Sequence, residues 1–210
     1  MKLSILAALL PIFYPVIHGA VLARRDPLEG YRIRELEWEI EVSPGVNIMA
    51  RGTIQQAHEE ARKINPNWDA DREERIKARR ALEKEESPSS LSKRDVDFDK
   101  DGRVECGHWE RCPTFRIRDG ITYLEDVDGR PTEGPGPGEC GRVSCSWDSA
   151  IWWCNDTRDT KSLRSFKDIA IGAQAIIGQC SFLEPGYKDV VSGQAFHNTN
   201  WNVIVRKDSC

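Results

Sequence analysis

Seven cysteines, at 106, 112, 140, 145, 154, 180 and 210, are the side chains of this 210-residue chain whose chemistry is most constrained. The first 105 residues hold none. Thiols gathered this way either ligate a metal or close disulfides. No paired CxxC spacing of the zinc-site kind occurs, so disulfides are expected. A hairpin turning at Trp147-Asp148 sets Gly141 opposite Cys154 and leaves Cys140 one residue away, so Cys140–Cys154 is reachable with a slip of register. Cys210, beyond the last predicted strand, can anchor that strand only by pairing elsewhere in the sheet, and Cys145 is assigned to it. Cys106–Cys180 would tie the preceding arm to the end of a helix. Cys112 is left odd, either a free thiol or paired outside this scheme.

Acid–base chemistry has fewer candidates. After residue 94 the histidines are His108 and His197. A ribonuclease needs a carboxylate and one or two histidines near an arginine. His197 with Arg206, Glu184 or Arg142 could be cast that way, but "FHNTN" reads more simply as a polar turn. Asp97, Asp99, Asp101 and Gly102 match the start of an EF-hand loop, with Val104 at its apolar position. The closing Glu is replaced by His108, and Cys106 interrupts the exit helix, so too few oxygens remain for calcium. No metal or other cofactor is expected. No Gly-x-Ser-x-Gly elbow is present. Trp152 and Trp153 are adjacent in a predicted strand and must face opposite ways. One belongs to the core, and the other could stack on a sugar or a partner. Asn155-Asp156-Thr157 is the N-glycosylation triplet.

The elements that must position these residues follow from periodicity. "TFRIRDGITYLEDVDG" places Ile117, Ile121, Leu124 and Val127 at helical spacing, with Gly129 as a stop. "GRVSCSWDSAIWWCND" reads as two strands. "SFKDIAIGAQAIIGQC" carries an apolar stripe from Phe166 to Cys180, with Ser165 and Asp168 at capping distance. Gly172 and Gly178 inside it imply close approach of a neighbour. "VVSGQAF", the turn "HNTN" and "WNVIV" form a last hairpin. Helix, two strands, helix, two strands predicts an α+β fold: an antiparallel sheet with two helices on one face, an α/β-sandwich stabilised by disulfides. Each such bridge is worth about 2–5 kcal/mol in a small domain.

Upstream, "MKLSILAALLPIFYPVIHGAVLA" has a Lys, a short apolar run and small residues, as in a secretory signal peptide ending after Ala20 or Ala23. Residues 24–94 balance 15 Lys and Arg against 15 Asp and Glu. "RELEWEIEV" alternates with period two, a half-buried strand. "TIQQAHEEARKIN" starts with Thr53 and Gln56 at capping-box spacing, and "DADREERIKARRALEKEE" is a long charged helix. Lys93-Arg94 follows the flexible "SPSSLS" and is the dibasic pair best presented for a processing protease; Arg79-Arg80 lies mid-helix, and Arg24-Arg25 follows the signal. Residues 1–23 are thus read as signal, 24–94 as a small pro-segment and 95–210 as the mature cysteine-rich domain. That domain carries 14 Lys and Arg against 19 Asp and Glu, with no clustered cations, which disfavours nucleic acid as a partner. No segment of it is apolar enough to cross a bilayer.

The order of "VECGHWERC", "RIRDGI", "GRVSC" entering a strand, a helix ending "GQC" and a last strand ending "SC" resembles the small killer toxins of smut fungi. The resemblance covers Asp101 to Cys210. It implies an α/β-sandwich with several disulfides acting outside the cell, on calcium transport of competitors or hosts. This chain has fewer cysteines than the toxins, so one or more of their bridges is absent. The expected function is a secreted toxin-like or effector-type monomer that binds an extracellular or cell-surface target, a protein, channel or glycan, without catalysis. The alternatives are a small secreted hydrolase of ribonuclease type, using His197 and Arg206, and a glycan-binding module using an exposed Trp.

Overall fold

The computed structural model describes residues 28–85, 96–186 and 188–210. The proposed signal and the Lys93-Arg94 pair lie outside the described residues. The fold is α+β, with five helices among the described residues and a six-stranded main sheet. That sheet runs in the order β1 (Arg32–Arg34), β7 (Glu139–Ser146), β8 (Ser149–Asn155), β13 (Trp201–Lys207), β12 (Gly193–His197) and β4 (Gly102–Cys106). All pairs in it are antiparallel except β1 on β7. The sheet is therefore mixed rather than antiparallel, and the parallel strand comes from the segment read as a leader.

Trp147 and Asp148 form the two-residue turn between β7 and β8, both with positive φ. Cys140 pairs directly with Cys154, because a bulge between Arg142 and Ser144 supplies the slip of register. Alternation then divides the residues between the faces. Ile151, Trp153, Val203 and Val205 face one core, and Ala150, Trp152, Cys154 and Ile204 the other.

On the first face lie α4 (Thr114–Glu125) and α5 (Lys167–Cys180), packed on each other and on the strands. Gly172 is where β13 comes closest to α5: a Cβ there would sit 2.6 Å from Val203. Gly178 has no neighbour within 4 Å, so close approach does not explain it. Ser165 does not cap this helix. Phe166 holds the cap position in helical conformation, and Asp168 instead accepts the Arg164 amide at 3.1 Å.

The layer on that face is not two helices alone. The hairpin of β2 (Glu37–Ser43) and β3 (Val46–Arg51), with α1 (Ile54–Ile64), joins the same core. In β2 the glutamates point outward while Trp38, Ile40 and Val42 are buried. Thr53 and Gln56 close a capping box at the start of α1. The charged helix α2 (Trp68–Glu85) follows, anchored by buried Trp68. A short helix, α3 (Phe98–Asp101), leads into β4. Small sheets of β5 (Cys112–Pro113) with β10 (Phe182–Glu184) and β11 (Lys188–Val191), and of β6 (Thr132–Glu133) with β9 (Lys161–Ser162), complete the frame.

Candidate binding surface

Among the described tryptophans only Trp147 stands in solvent, 74% exposed at the tip of the β7–β8 turn. Its φ of 50° is left-handed, which costs a bulky residue about 1–2 kcal/mol where Gly or Asn would be at ease. Beside it, Arg116 of α4 lies 4.8 Å from the Trp147 ring and 4.5 Å from that of Phe115. Phe115 is also exposed, so the guanidinium is shared between two open aromatic faces. Phe182 and Leu183 on β10 are exposed as well, and Phe182 sits across Val190 from Pro113, about 10 Å away over two strand spacings. The two exposed cation–π contacts are worth about 0.5–1 kcal/mol each, little beside the left-handed strain at Trp147. The composition of the patch is that of an interface centre.

The ribonuclease constellation is not assembled. His197 pairs with Trp201 at one end of the β12–β13 ladder, whereas Arg206 lies beyond Val205 at the other end, roughly 16 Å along the strand. His197 stacks on Trp201 at 5.1 Å and meets Phe98 edge-on, and its Nδ1 is held by Thr199. Burial pushes its pKa down. His108 follows Cys106, at the far end of β4 from the Gly102–His197 pair. Glu184 is paired with Arg111, and Arg142 donates to the Ser209 carbonyl at 2.7 Å. Trp152 and Trp153 do face opposite sides, but both are buried, so neither can stack on a sugar. Among the described tryptophans it is the Trp147 ring that is open to stacking. A Trp in a two-residue turn was the sequence signal for it; Phe115 and Arg116 gave none, since exposure of a helix face is fixed by packing.

Asn155 is 0% exposed, and its amide donates to the Gly134 and Asp159 carbonyls at 2.8 and 2.7 Å. Its oxygen accepts from Thr157. In the folded chain this triplet is a structural clamp whose nitrogen has no room for a glycan. The acids after residue 96 have local work: Asp97 caps α3, and Asp101 accepts from Asn198. Among the described residues no three His, Cys, Asp or Glu converge as metal ligands.

The structure joins Cys106 to Cys180, Cys140 to Cys154 and Cys145 to Cys210. Cys112 is free and buried. Burial pushes its thiol up to about 11, so it stays protonated and unreactive at neutral pH.

Two other buried groups escaped the sequence reading. Glu133 is 0% exposed with neither carboxylate oxygen hydrogen-bonded, and burial pushes its pKa up to about 7 against a weaker pull from Arg34. His58 in α1 is wedged against Trp68 and Tyr123. Its burial, with Arg72 and Arg62 nearby, pushes it down to about 3. A cleft of about 540 Å³, lined by Trp38, His58, Trp68, Arg72, Asp126 and Phe166 among others, follows the seam between the cysteine-free and cysteine-rich parts.

No helix among the described residues is long and apolar enough to cross a membrane. Set beside known protein families, curated proteins and solved structures, the chain matches none.

Proposed function

We propose that this is a secreted, proteolytically processed protein of killer-toxin or effector type, which acts by binding an extracellular or cell-surface target rather than by catalysis. The observation that carries the reading is Trp147, a bulky residue held in left-handed conformation and open to solvent, with Arg116 between it and Phe115. Strain and exposure together are retained where a side chain has an external use. Three disulfides in a small α+β frame suit an oxidising compartment and support secretion. We assign residues 96–210 to a two-helix α/β-sandwich like that of the smut toxins, a reading supported by α4 and α5 packing on each other over one face of the sheet.

Labelled secreted protein should bind intact fungal or host cells, and Trp147→Ala and Phe115→Ala should abolish binding while leaving the melting temperature in place. Undiminished binding by both variants would overturn the assignment of the surface. RNA hydrolysis that vanishes in His197→Ala would overturn the non-catalytic reading. The open indole also favours a glycan as the target, which affinity for chitin or glucan, lost in Trp147→Ala, would reveal.

A further inference from the structure

Residues 28–82 do not form a body of their own. Leu36, Trp38, Ile40, Val42, Ile54 and Trp68 belong to one apolar cluster with Ile117, Trp153, Ile169 and Val203 of the cysteine-rich part. Trp38 stacks on Phe166 with ring centres 4.6 Å apart. On the opposite face Leu28, 0% exposed, packs in the cluster of Trp152 and Ile204, and the Tyr31 hydroxyl accepts from Gln194. Between these faces β1 fills the open edge of β7. Gln55 reaches both the Ser144 hydroxyl at 2.7 Å and the Cys145 amide at 3.0 Å. Arg79 and Arg80 both pair with Asp126.

The fit is mutual. A Cβ on Gly141 would lie 2.5 Å from the Leu36 side chain, so the glycine in β7 makes the space that Leu36 occupies. Yet none of this is covalent. No cysteine precedes position 106, and all three bridges close within 106–210.

We propose that residues 28–82 remain bound to residues 96–210 after the stretch 86–95 is cut, so that the working protein is a two-chain, non-covalent complex. The proposal rests on the processing reading only for the place of the cut; the association itself is fixed by the interface. Loss of the first chain would bare the β7 edge and the ring of Phe166, a template for aggregation. Departure is not needed for recognition either. Trp147 and Phe115 are already exposed with residues 28–82 in place.

The test uses the full-length oxidised protein with a site for a sequence-specific protease placed within 86–95, cut to completion. Native mass spectrometry and size-exclusion chromatography at about 1 μM, which separates partners that bind more weakly than that, should show one species holding both fragments. A denaturing gel without reductant should show two bands. Fragments that migrate apart in the native measurement overturn the proposal. Trp38→Ala in the cut protein should weaken association by roughly a hundredfold or more, and Gly141→Val should do so by collision with Leu36. Gln55→Ala, which removes two hydrogen bonds and no core volume, should weaken it about tenfold if the larger changes prevent folding. Association indifferent to all of them also overturns it. A secreted product that keeps the 86–95 link uncut would refute the processing reading alone, and the engineered cut would still decide the association.

Discussion

Acidification from pH 7.5 to 4.5 should leave the stability of the intact chain nearly level, because two buried groups pull against each other. His58 is 2% exposed and held neutral in the folded state, with its pKa pushed from 6.5 down to about 3. The unfolded chain therefore takes up a proton that the folded chain refuses. Stability that is complete above pH 6.5 is lost as the pH falls from there towards 3, by about 3 kcal/mol at pH 4.5. Glu133 has the opposite sign. Its folded pKa is raised from 4.5 to about 7, so the folded chain holds a proton that the unfolded chain gives up. The cost of keeping Glu133 buried is greatest above pH 7 and is relieved by about 3 kcal/mol on going down to pH 4.5. Neither term wins. His197, also pushed down, adds a smaller loss of the same sign as His58. Single variants should unmask the slopes. In His58→Gln stability should rise on acidification by about 3 kcal/mol, and in Glu133→Gln it should fall by about as much. Urea unfolding of the oxidised protein at both pH values, read by tryptophan fluorescence, measures this directly. Parallel pH profiles for wild type and both variants would refute the burial argument for these two side chains.

Replacing Asn155 by Ala should cost about 3 kcal/mol by stranding the Gly134 carbonyl and the Thr157 amide, while the Asp159 carbonyl keeps the Thr157 hydroxyl, and the intact mass of the protein purified from its native source should show no glycan at this position. Trp147→Gly should raise stability by about 1 kcal/mol in thermal unfolding, since it removes a left-handed tryptophan at a turn, while target binding is lost. Under native conditions at pH 7.5 no thiol should react with iodoacetamide, and one, Cys112, should react once the oxidised chain is unfolded in guanidinium.

Much of the cysteine-rich part was legible because its constraints are local. A two-residue turn at Trp147-Asp148 fixes the β7–β8 ladder, and the ladder brings Cys140 to Cys154; only the bulge at Val143 was needed to close the gap. The cysteine-free segment was legible one element at a time, through the alternation of β2 and the capping box of α1. Its destination was not. Alternation says that one side of a strand is buried but not what buries it. One clue stood in the open. A hairpin with Trp38, Ile40 and Val42 on a single face has too little chain beside it to cover them, so another core had to. The parallel strand β1 was illegible for a plainer reason: "RIR" is three exposed residues with no apolar pattern, placed by an edge that only the folded sheet supplies. His197 and Arg206 were paired on residue type alone, and the register of β12 on β13 separates them.

Hydrogen exchange of the intact chain, read peptide by peptide by mass spectrometry through a urea series, bears most directly on whether residues 28–82 and 96–210 are one folded unit. Amides of β2 and α1 should open in the same transition as those of β8 and β13, with one free energy and one dependence on urea. If β2 and α1 exchange within seconds in the absence of urea while β8 and β13 stay protected, the two parts do not share a core and the account is contradicted.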